Sequence, residues 1–193
     1  EMWGMNLVQR REDLDVVDVN TPVAAHHAVS GFFASQGLNV ITTCPTALTV
    51  PTTDLMLEAA RKGGAKFELC ETIYRQPNNR FVAEVVKSGA IGDVIRVYGV
   101  FVEALYHGLS LIRLLIGSEP TSFRTISYSH PIMEFPDQRS GAVRHTAEDW
   151  HTAFVDFANG AMAMQVYSNI IHARGLGRRM GNLSQVDGTE GAI

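Results

Sequence analysis

A chain of 193 residues, 46% hydrophobic and 19% charged, carries enough apolar material for a globular core and is not composed like a disordered segment. Its net charge of −4 gives no basic surface for nucleic acid or anionic lipid, and no apolar run reaches the roughly 18–20 residues that span a bilayer. The two cysteines, Cys44 and Cys70, form neither a framework nor a CxxC pair, which fits a reducing, cytoplasmic setting.

The first strong element is residues 15–20. Its β-branched run ends at Thr21-Pro22, where proline stops the strand. Pro22 also suits the first turn of a helix. Residues 23–36 carry Ala, Val and Phe at helical spacing, with Gly37 as a C-cap. A short strand over 39–42 precedes a break at Cys44-Pro45. Pro51 opens a second helix with Leu55, Met56 and Ala59 on one face, and Gly63-Gly64 ends it. Residues 66–70 read as a third strand. This alternation with short connections predicts βαβ units, a parallel sheet and right-handed crossovers.

Near Arg75 the pattern changes. A helix over 78–88, a turn over 89–92, an alternating strand over 94–102 and a helix over 105–116 come first. Strand candidates at 122–129 and 150–157 follow, and the second turns through Ala158-Asn159-Gly160 into 161–168, a hairpin signal. Few helices among long strands predict an α+β domain with a mostly antiparallel sheet.

Four segments in this order then carry a family resemblance. Asp15-Val-Val-Asp-Val-Asn-Thr-Pro, followed by His26, is similar to a strand-Thr-Pro-x-x-x-His step. Residues 39–49 are similar to a segment bearing a Glu-Lys-Pro signature. Glu71-Thr-Ile-Tyr-Arg-Gln-Pro and Lys87-Ser-Gly-Ala-Ile-Gly match a crossing between two domains. Phe157-Ala-Asn-Gly-Ala and Asp187-Gly-Thr-Glu-Gly match a sheet hairpin and a later turn. Together they cover most of the chain, which resembles the glucose–fructose oxidoreductase/inositol dehydrogenase/MocA-type family. The resemblance implies a partial Rossmann-like dinucleotide-binding domain over 1–75 and an α+β substrate-binding and oligomerisation domain over 76–193. It also implies NAD or NADP as cofactor, a sugar, cyclitol or related polyol as substrate, and a homodimer or homotetramer.

Three departures qualify the match. The family's glycine-rich turn, which cradles a pyrophosphate, lies several tens of residues before the position of Asp15. Here only fourteen residues precede Asp15, and they hold Gly4 alone. The expectation is a chain that starts after that turn. The strand over 94–102 and the helix bearing His107 nearly touch where the family has a longer excursion, and relatives continue past the position of Ile193, so further segments are expected there. Aligning Pro45 with the signature proline puts Thr43 at the glutamate and Cys44 at the lysine that contacts both cofactor and substrate.

Glu103 and His107 are four residues apart, a spacing that shares one helix face. The resemblance makes His107 the catalytic proton acceptor and Glu103 the carboxylate that orients its ring. Spacing alone fits a helix-start acid and a surface histidine. Cys44 has three readings: acid or base, nucleophile, or passive occupant of the lysine position. An unperturbed thiol, with a pKa of about 8.5, favours the passive one. Asn20, Thr21 and Pro22 end a parallel strand, where ligands of open α/β sheets collect. The resemblance places the ribose and nicotinamide side of the cofactor there, with His26, Thr43 and Pro45. His26 also suits packing of helix on sheet, and because His26 and His27 point in different directions no metal site is expected. Glu71, Tyr74 and Arg75 either touch substrate hydroxyls in an interdomain cleft or pack a domain interface. Trp150, His151 and His145 have no spacing that assigns them. Three functions compete: NAD(P)-dependent polyol oxidation, NAD-assisted elimination or glycoside cleavage on the same fold, and non-catalytic sensing of a sugar or dinucleotide.

Overall fold

β-Branched residues alternating in burial build the first strands, and the connections between them are helical. The computed structural model describes Met5 and residues 14–101, 105–136, 144–168 and 183–193. Contacts divide the chain into two units, Glu1–Thr72 and Ile73–Ile193.

In the first unit, β1 (Val16–Val19), α1 (Val23–Ser35), β2 (Asn39–Thr43), α2 (Val50–Gly63) and β3 (Phe67–Cys70) follow one another. The sheet order is β1-β2-β3 and both pairings are parallel, as the strand–helix alternation requires. β2 points Val40 and Thr42 inward, and Val40 joins Val19, Phe33, Ala34 and Ala60 in the core. Pro22 is the N-cap residue of α1, with ψ 141°, one position outside the helical turn expected for it. Gln36 is the C-cap and Gly37 follows it. α2 starts with a capping box between Thr49 and Thr52. Leu55, expected on the packing face of α2, is 62% exposed, while Met56 and Ala60 are buried. The face that packs runs through i and i+4 from Met56, and Leu55 lies about 100° away from Met56 around the helix.

The second unit opens with a 3₁₀ turn, Ile73–Arg75. It continues with α3 (Pro77–Lys87), β4 (Val94–Phe101), α4 (Leu105–Ile116), β5 (Pro120–Pro136), β6 (Arg144–Phe157), β7 (Met162–Ser168) and β8 (Leu183–Gly188). The division falls before Ile73 because that side chain is fully buried in the second core, so Tyr74 and Arg75 belong to this unit. Its sheet order is β5-β6-β7-β4-β8. All pairings are antiparallel except β4 with β7. β5 is far longer than the expected 122–129 because its three prolines, Pro120, Pro131 and Pro136, lie in an edge strand, where a missing N–H is tolerated. The β6–β7 hairpin closes as expected: Gly160 takes φ +85°, and Phe157 N–H donates to Ala161 O at 2.9 Å.

α4 covers one face of this sheet. Leu111, Ile112 and Leu115 share a core with Val97, Val155, Ala163 and Val186, and each such burial is worth about 1.5–3 kcal/mol relative to exposure. The turn after α3 is clasped by the turn at the end of β8. Glu190 N–H donates to Ile91 O at 3.0 Å and Thr189 N–H to Asp93 O at 2.9 Å, while Asp93 N–H donates to Thr189 Oγ1 at 3.0 Å. A Cβ at Gly188 would stand 2.0 Å from Ile91 O, so only glycine permits this approach. Two of the segments that carry the resemblance are therefore the two halves of one clasp.

Candidate functional site

The loops that leave β1, β2 and β3 gather at the carboxyl edge of the parallel sheet in the first unit. Asn20, Thr21 and Pro22 follow β1; Thr43 ends β2, and Cys44 and Pro45 follow it; Glu71 follows β3. His26, 2% exposed, stands in the first turns of α1 between two of these loops. Its Nε2 lies 2.8 Å from Thr21 O, and its Nδ1 lies 3.0 Å from Pro45 O and 3.2 Å from Thr46 O. A carbonyl oxygen only accepts, so one neutral tautomer ties the ring to the β1 loop and the other ties it to the β2 loop. Either way the imidazole fills the space between the loops and fixes their separation.

Thr21 Oγ1 and Thr42 Oγ1 are buried and have no hydrogen-bond partner among the described residues. An unsatisfied buried hydroxyl is costly, by about 1–3 kcal/mol, and hydroxyls at this edge suit the polar groups of a ligand. Thr42 was not singled out by sequence reasoning. The available signal was a hydroxyl two residues from Val40, on the same inward face of the strand.

The Cys44–Pro45 peptide bond is cis. Cys44 is half-buried, and its Sγ donates to Cys70 O across 3.8 Å. Burial, and after it the charge of Glu71, pushes the Cys44 thiol up from 9.0 to about 11. At neutral pH this holds it as a protonated S–H donor. Glu71 is itself 3% exposed. The first unit thus brings together Thr21, His26, Thr43, Cys44, Pro45 and Glu71.

In the second unit His107 lies in the first turn of α4, half-buried, with its ring 4.3 Å from that of Tyr106. Glu103 lies outside the described residues. Tyr74 borders a groove of about 970 Å³ together with Leu114, Leu115 and Gly117, at the other end of α4. Tyr74 also borders a second groove with Ser110 and Arg113, and Ser110 is three residues, about 4.5 Å of helix rise, from His107. Arg75 is exposed in the 3₁₀ turn. Among the described residues no helix is long and apolar enough to cross a membrane.

No family model matches the chain, and no curated protein matches it. Solved structures do. An NAD binding oxidoreductase from Klebsiella pneumoniae is 23% identical with a TM-score of 0.71, covering 97% of this chain and 55% of its own. Aldose-aldose oxidoreductase from Caulobacter crescentus, complexed with glycerol, is 21% identical with a TM-score of 0.74, covering 98% of this chain and 58% of its own. An oxidoreductase from Agrobacterium radiobacter, in complex with NAD+, L-tartaric acid and magnesium, is 21% identical with a TM-score of 0.76, covering 97% and 57%. The chain spans a little over half the length of each. At these identities the likeness establishes the architecture: a Rossmann-like parallel sheet with helices, followed by a mixed sheet, as in these oxidoreductases.

Proposed function

We propose that the chain is part of an NAD(P)-dependent oxidoreductase acting on a sugar, cyclitol or related polyol. The observation that carries the reading is the likeness over nearly the whole chain to oxidoreductases of this architecture, two of them described with NAD in their names. The carboxyl edge of the parallel sheet supports it. Asn20, Thr21, Pro22, Thr43 and Pro45 hold the dinucleotide, and the unpartnered Thr21 hydroxyl fits a group that brings hydroxyls of its own. When bound, NAD(P) supplies the hydride acceptor. His26 keeps the two holding loops apart at a fixed distance.

His107 does the proton work. Removing hydride from a secondary alcohol leaves a carbonyl only if the hydroxyl proton departs too, and a ring nitrogen of His107 takes it. Cys44, held protonated, neither accepts that proton nor attacks the substrate. Instead it fills the position of the family lysine with a neutral donor. The outer face of the second sheet, with Ile126 63% and Tyr128 51% exposed, supports assembly into a dimer or a higher even oligomer.

The test is turnover. Full-length protein given a panel of polyols should reduce NAD or NADP. Dinucleotide that stays bound through purification, with elimination or glycoside cleavage but no net reduction, would instead favour the NAD-assisted reading.

A further inference from the structure

The hydrogen-bond partners of His26 are all of one kind. The side chain is 2% exposed, so it bonds to protein groups rather than to bulk water. Nε2 lies 2.8 Å from Thr21 O on the loop after β1, and Nδ1 lies 3.0 Å from Pro45 O and 3.2 Å from Thr46 O on the loop after β2. Backbone carbonyls only accept. A neutral imidazole has one N–H, so its other nitrogen turns a lone pair toward a carbonyl lone pair at hydrogen-bond distance. That contact repels, and one loop is left untied. The imidazolium has two N–H groups and ties both loops, with Nδ1–H shared between Pro45 and Thr46.

Charged and titratable groups stand on every element around the ring. Asp18 of β1 and His27 of α1 are exposed. On α2, which packs against α1, Asp54 and Arg61 are exposed, and Glu58 pairs with Lys62 at 2.8 Å. The loop after β2 carries Cys44, held as a neutral thiol. The loop after β3 carries the buried carboxylate of Glu71, whose charge already acts on Cys44. A buried anion at this edge of the sheet favours a cation over a neutral ring.

The two loops are those read above as holding the dinucleotide: Thr21 belongs to one, Thr43 and Pro45 to the other. The bulk of the ring sets their spacing in either protonation state. Only the second proton bonds both of them to one rigid group. A ligand that needs both loops in place therefore favours that form, and by linkage the bound ligand strengthens the hold on the proton.

We infer that His26 is a positioning residue whose second proton locks the two loops, so that dinucleotide binding is coupled to proton uptake at this ring. The inference rests on the dinucleotide-binding reading and adds its regulation by pH. Its test is calorimetric titration of full-length protein with NAD, in two buffers of different ionisation enthalpy, across about pH 5–8, where imidazoles titrate. NADP replaces NAD if only NADP binds, and His26→Gln run in parallel cancels the ligand's own titration. Wild type should take up a fraction of a proton on binding and bind about 5–10-fold more tightly at the acid end, the worth of one hydrogen bond. His26→Gln should lose both the uptake and the pH dependence. If that variant does not fold, ¹⁵N NMR of the wild-type complex decides: protons on both ring nitrogens of His26 support the lock, and a bare nitrogen overturns it. Binding that is independent of pH and takes up no proton overturns the inference and leaves the oxidoreductase standing. Binding of neither dinucleotide at any pH removes the dinucleotide reading and this inference with it.

Discussion

Cys44 offers a perturbation whose size follows from its surroundings. Both burial and the Glu71 carboxylate penalise a thiolate, so both move the thiol in one direction, from 9.0 to about 11. Two pH units mean ~10²-fold less thiolate than an unperturbed thiol at the same pH, and ~10⁻⁴ of the whole at neutrality. With Cys70→Ser in place, Cys44 is the sole cysteine of the chain, and its alkylation by iodoacetamide can be followed by mass. The logarithm of the rate should climb with unit slope to about pH 10 without a plateau. Glu71→Gln should bring the plateau down only part of the way, because burial is the larger cause. The linkage has a definite sign. Between about 9 and 11 the folded state keeps a proton that the unfolded chain has released, so stability falls as pH rises through that window. A plateau at or below about pH 9 would refute the reasoning and return Cys44 to the nucleophiles.

Gly188→Ala should cost about 1–3 kcal/mol in urea unfolding, because the added methyl meets the Ile91 backbone; unchanged stability would mean the clasp yields freely. Full-length protein should sediment as a dimer or a higher even oligomer, and Ile126→Lys with Tyr128→Lys should dissociate it; a wild-type monomer at micromolar concentration contradicts the assembly.

The parts legible in the sequence are those written locally. Val16–Val19, Asn39–Thr43 and the Asn159-Gly160 turn announce themselves by period and turn chemistry within a few residues. Features that depend on distant partners were not legible. Pro131 and Pro136 read as breakers until β5 is seen to be an edge. The parallel β4–β7 pairing joins segments more than fifty residues apart. Ser127, His151 and Tyr167 become neighbours only once strand register aligns them. Within the candidate site, Cys44 is visible in the sequence, but what holds its thiol protonated is burial and Glu71, twenty-seven positions away. The contacts of His26 with Pro45 and Thr46 are likewise a product of folding.

The central claim is that the protein oxidises a polyol with NAD or NADP and that His107 takes the proton. The direct measurement is dinucleotide reduction by full-length wild type, His107→Ala and Cys44→Ala on the best substrate of the panel. The account predicts that His107→Ala loses about 10²–10⁴-fold in turnover with dinucleotide binding nearly unchanged, while Cys44→Ala loses less than about tenfold. Wild-type turnover in His107→Ala together with abolished turnover in Cys44→Ala would contradict it.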